Sequence, residues 1–132
     1  KQISDVVNNI MFDNNSQNTS PVMEMFQLIA INEFKGFEGV DNEIIILSDM
    51  IQNTPEMSMY QNGIDSFSKF KKSDYFSKIR TNLNKNVNIK LFMIKRDGSR
   101  AMQEKKYFAN FWAQFFMNGN KAKDFKITFV DG

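Results

Sequence analysis

The run Glu43-Ile-Ile-Ile-Leu47, closed by Ser48-Asp49, constrains this chain more than any other stretch. Consecutive large aliphatic side chains, mostly β-branched, cannot keep one face in water. The segment therefore reads as a strand buried on both faces, as parallel sheets require. Parallel strands need crossovers, and crossovers are usually helices. An acid directly after such a run cannot continue into the core, because an unpaired carboxylate is costly to desolvate. Asp49 must emerge at the carboxyl end of the strand, the edge where open α/β sheets bind ligands. Two uses stay open for it: capping the next segment and holding a ligand.

The rest of the chain alternates in the same sense. Ile3, Val6, Val7, Ile10 and Met11 repeat as on an amphipathic helix over residues 1–12, followed by a polar loop from Asp13 to Thr19. Ser20-Pro21 starts a second helix, with Ser20 as cap and Pro21 in the first turn. Its buried face is expected to be Val22, Met25, Phe26, Ile29 and Ala30. Residues 53–72 read as irregular, with Pro55 and Gly63 as breakers and part of the stretch open to helix. Ser73 is expected to cap a helix through about Leu83, with Phe76, Ile79 and Leu83 on one side. Val87 to Ile94 is the next strand, and a charged loop runs from Lys95 to Arg100. A long helix from Gln103 to Met117 follows, with Phe108, Phe111, Trp112, Phe115 and Phe116 at helical spacing and Asn118-Gly119 as its stop. Lys126 to Asp131 is the last strand. This order predicts the α/β class: a three-layer, Rossmann-like parallel sheet with helices on both faces, one domain over residues 1–132.

Composition narrows the function. The 132 residues include 14 Phe and 9 Met, enough large apolar side chains for a substantial core. Seventeen basic and 15 acidic residues give a net charge of +2, so neither a nucleic-acid nor an anionic-membrane partner is expected. Cys and His are both absent, which excludes disulfides, thiolate or imidazole metal sites and Cys- or His-dependent nucleophilic catalysis. No apolar run approaches the roughly 18 residues of a membrane span. A soluble protein of the cytoplasm or periplasm fits, and the richness in Asn, Lys, Ile and Phe has a bacterial character.

A hydroxyl at a helix start, such as Ser20, can cap the helix or coordinate a hard cation; Thr19 is its neighbour and alternative. Taken in order, Thr19-Ser20-Pro21 and Ile44-Ile-Ile-Leu-Ser-Asp49-Met50 resemble the second and third elements of the metal-ion-dependent adhesion site of von Willebrand factor A domains. The resemblance implies a metal site of Ser20 and Asp49, with Thr19 and Ser48 close by. Its cofactor would be Mg²⁺, or Mn²⁺ or Ca²⁺, and its open position would take a carboxylate from a protein partner. One departure stands out: the family's D-x-S-x-S loop is not present. Asp65-Ser66-Phe67-Ser68 has the wrong spacing and follows no apolar strand. The chain thus resembles the C-terminal half to two-thirds of such a domain, with its site incomplete in this fragment. The three visible strands would be the fourth to sixth of the sheet, and the edge of strand 43–48 would need missing strands or a second chain to cover it.

Other features read less specifically. Lys95, Arg96 and Arg100 suit a phosphate or a partner's acids, or simply a solvated loop. The Phe108–Phe116 stripe reads as core packing rather than a nucleobase platform. Met50, Met57 and Met59 fit an adaptable binding surface near Asp49 as well as they fit core filling. Glu56 and Asp65 form no recognisable catalytic pair, and no Gly-rich phosphate loop occurs. The expectation is a metal-dependent binding module rather than an enzyme. The alternatives are an assembly module on the same fold without a working metal site and a Mg²⁺-dependent phosphate-handling enzyme.

Overall fold

The computed structural model describes residues 19–33 and 42–131. The helix expected over residues 1–12 lies outside the described residues. Element α1 is Val22–Glu33, followed by β1, Asn42–Ser48. Three short helices come next: α2 at Met59–Asn62, α3 at Phe67–Phe70 and α4 at Asp74–Ile79. Strand β2 is Val87–Lys95, and α5 and α6 are Arg100–Gln103 and Lys106–Gln114. A π-helical turn over Phe115–Gly119 leads into β3, Asp124–Asp131.

The sheet is parallel throughout, in the order β1-β2-β3. Its register sets Ile44 beside Ile89, and Ile89 beside Phe125. Successive strand residues point to opposite faces, so Ile44, Ile46 and Ser48 share a face with Val87, Ile89, Leu91 and Met93. All seven are buried. Phe125 and Ile127 of β3 continue that face and pack against the core only partly buried. The alternate residues Ile45, Leu47, Phe92 and Ile94 are half-buried.

A connected cluster of rings covers the buried face. Phe26 of α1 meets Phe116 edge-on at 4.9 Å, and Phe76 of α4 contacts Phe67, Phe70 and Phe115. Trp112 meets Phe111 and Phe115, and Phe116 stacks on Phe125 of β3 at 5.3 Å. Edge-to-face pairs of this kind add about 0.5–1.5 kcal/mol each beyond area burial. One continuous cluster cannot straddle a sheet, so α1, α3, α4 and α6 lie on the same side. The described residues thus show an α/β sheet with one helical layer. The second layer expected from the sequence is not found among them.

Several boundaries differ from expectation. The carbonyl of Pro21 accepts the first helical bond of α1, from the Met25 N–H at 3.0 Å, so Pro21 and not Ser20 occupies the cap position. The buried side of α1 is Val22, Met23, Phe26 and Ala30; Met25 and Ile29 are only half-buried. Ser73 does cap α4, its Oγ accepting from the Phe76 N–H at 3.1 Å. That helix stops at Ile79, because Arg80 turns extended and the Thr81 N–H goes to Asn120 Oδ1. The long helix is interrupted at Lys105, whose backbone is extended (φ −72°, ψ 138°). Beyond it, the π turn brings Gly119 against Phe67 and Phe76. A Cβ there would lie 2.9 Å from the tip of the Phe67 ring.

Candidate functional site

The carboxyl end of the sheet gathers most of the polar residues singled out by sequence. Asp49 leaves β1 where expected, and a tight turn follows it. Met50 has a left-handed backbone (φ 58°) despite its side chain, a conformation that is uncommon outside Gly and Asn. Three hydrogen bonds hold this turn. The Met50 N–H donates to Ser48 Oγ at 2.9 Å, the Ile51 N–H donates to Asp49 Oδ1 at 3.0 Å, and Trp112 Nε1 donates to the Met50 carbonyl at 3.0 Å. Ser48 is thus a turn-closing residue, and the capping use of Asp49 is realised in the same turn.

The second carboxylate oxygen of Asp49 accepts from Arg96 Nε at 2.8 Å. The Asp49 side chain is only 15% exposed, whereas Arg96 reaches it from a half-exposed position. Gln103, fully buried, locks the two loops together. Its Nε2 donates to the carbonyls of Asp49 and Ile94, at 3.0 and 2.8 Å, and its Oε1 accepts the Arg96 N–H at 2.9 Å. The remaining cations of the edge face acids too. Lys95 meets Glu104 at 2.8 Å and lies 5.0 Å above the Phe129 ring. Arg100 reaches Asp131 at 3.2 Å and Glu104 at 3.7 Å. The hydrogen bond from Lys95 and the neighbouring positive charges hold the Glu104 carboxyl below its usual range. Lys95, Arg96 and Arg100 therefore each pair with an acid of the chain, at a loop whose residues 96–98 are exposed.

Ser20 lies at the same end of the sheet. It forms an antiparallel bridge with Asn53, the Ser20 N–H donating to the Asn53 carbonyl at 2.7 Å and the Asn53 N–H to the Ser20 carbonyl at 3.0 Å. Thr19 beside it is half-buried. A second buried glutamine controls this region. Gln52 Oε1 accepts the Met23 N–H at 2.9 Å, supplying the helix cap that the sequence assigns to Ser20. Its Nε2 donates to Glu24 at 3.0 Å and to the Tyr75 hydroxyl at 2.9 Å, and that hydroxyl donates to the other Glu24 oxygen. Burial, reinforced by Glu24, raises the Tyr75 pKa, so the phenol stays protonated.

The methionines do not build a binding surface. Met50 and Met59 are buried in the core, and Met57 packs against it. Among the described residues no three acids come together as a metal cage. Neither glutamine carries a local sequence signal: Gln52 bonds Met23 29 residues away, and Gln103 joins Asp49, 54 residues away, to Ile94 and Arg96. No family model, curated protein or solved structure matches this chain.

Proposed function

We propose that this chain is a protein-binding assembly module on a von Willebrand A-like α/β scaffold, one that works without a metal ion at Asp49. The observation that carries this reading is the double engagement of the Asp49 carboxylate, by Arg96 on one oxygen and the Ile51 N–H on the other. The guanidinium supplies the charge and directed donors that a cation would bring to the acid. It also ties the end of β1 to the loop after β2 without any ligand. An edge so completed acts as a rigid frame, and recognition falls to the rest of the surface, where β3 exposes Phe129 and Val130.

A metal-dependent form of the same reading draws on the position of Ser20, bridged to the loop that continues from Asp49. In that form Arg96 swings away, Ser20 and Asp49 hold Mg²⁺, and a partner's carboxylate completes the shell. Calorimetric titration of Mg²⁺ and Mn²⁺ into the wild-type chain, Arg96→Ala and Asp49→Ala separates the two. The metal-free module gives no saturable heat with the wild type. Saturable binding that disappears in Asp49→Ala would overturn it in favour of the adhesion-type site.

A further inference from the structure

Strand β3 pairs with β2 alone among the described residues. It is eight residues long, and none of its side chains is buried; Phe129 is 43% exposed and Val130 37%. A long apolar edge strand is a template for another strand. The sequence of β3 indicates which one. Antiparallel partners match residues whose backbone groups point the same way, so a strand pairing with its own copy must be centred on a residue and not between two. Centring on Lys126 sets two like charges face to face, and centring on Thr128 sets Phe125 against Asp131. Centring on Ile127 sets Ile127 against itself and Phe125 against Phe129 in both directions. It also sets Lys123, just before the strand, against Asp131 at both ends. That register uses the whole strand and, apart from Asp124 against Val130, is complementary in both shape and charge.

We infer that β3 is the interface of a symmetric dimer, pairing antiparallel with β3 of a second copy about a two-fold axis through Ile127. The inference deepens the assembly reading by naming the partner as a second copy of this chain. The three described strands of each copy join into one continuous sheet, with both helical layers on the same side. Phe125, Ile127 and Phe129 then form a continuous apolar stripe with the partner's Phe125, Ile127 and Phe129. Each Lys123 lies opposite the partner's Asp131. The Asp131 side chain is 84% exposed, so it can serve both Arg100 of its own chain and this contact.

Light scattering on the full chain over about 10–500 µM tests the idea, a range suited to a modest interface built on one strand pair. The expected result is a species of twice the 15.4 kDa chain mass at the upper end. Asp131→Lys turns both terminal attractions into repulsions and weakens the dimer about tenfold, without touching the core. The double variant Lys123→Asp/Asp131→Lys restores it to within about threefold of the wild type. A monomer at every concentration overturns the inference while leaving the assembly reading open to a different partner. A dimer indifferent to Asp131→Lys, or a double variant no tighter than the single one, overturns the register and with it the β3 interface. Mg²⁺ titration is independent of all these outcomes, so failure of the dimer and failure of the metal-free reading remain distinct.

Discussion

Strands β1 and β3 flank β2 with similar lengths and the same parallel pairing, yet their surroundings diverge. β1 buries Ile44, Ile46 and Ser48, whereas β3 buries nothing. The ends of the two strands differ in the same way. β1 runs into a turn fastened by Trp112 and the buried Gln103, with the Asp49 carboxylate largely out of solvent. β3 is fastened at its end by Arg100 to Asp131, an exposed contact, and by Lys95 over the exposed Phe129. The ring cluster covers the face that β1 and β2 bury and reaches β3 through Phe125, so burial is deepest on β1 and β2 and apolar surface is left over at the far end of β3. A chain with abundant aromatics has not spread them evenly, and the uncovered strand is the one available to a partner.

Substitutions on the β1 side should break this contrast most strongly. Trp112→Ala removes a fully buried indole and the donor that holds Met50 in its left-handed turn. The expected loss is about 3–5 kcal/mol in urea unfolding. The sharpest direct comparison is Ile46→Ala against Ile127→Ala, the same deletion on the two flanking strands. The first should cost about 2–4 kcal/mol and the second about 1 kcal/mol, in line with their burial. Equal costs would mean that the helical layer covers both strands alike.

At the rim, Gln103→Leu leaves the Asp49 and Ile94 carbonyls and the Arg96 N–H without their partner, an expected loss of about 1–3 kcal/mol. Glu104→Gln should give the smallest effect, visible in its pH dependence. Because Glu104 is held below its usual pKa in the folded chain, its pairing contributes at neutral pH. That contribution fades as pH falls below 4.5, the ordinary value, through the lowered one. The stability difference between wild type and Glu104→Gln should accordingly shrink between pH 7 and pH 3.

The strands were legible because each is announced by its own residues. Ile44–Leu47 and Val87–Ile94 are apolar runs too short and too β-branched for helices, and Ser73 caps its helix through a bond to a residue three positions on. The acid at the end of β1 was legible for the same reason, being placed by the run before it. What escaped was whatever depends on distant partners. Gln52 displaces Ser20 as the cap of α1 from across a loop, and Arg96 reaches Asp49 from 47 residues away. The break at Lys105 was hidden because no Gly or Pro marks it and good helix formers flank it, Gln103 and Glu104 before and Lys106 after. The π turn was hidden because its extra residue still leaves Phe115 and Phe116 on the buried side.

The central position of β2 also dictates an order of events during synthesis. Among the described strands, neither outer one can form its ladder until Val87–Lys95 has left the ribosome, so β1 must wait through three short helices for β2. Such non-local pairing slows folding and exposes an adhesive strand in the meantime. Hydrogen exchange pulsed during refolding should therefore show β1 and β2 amides gaining protection together, with those of β3 following once the π turn has closed.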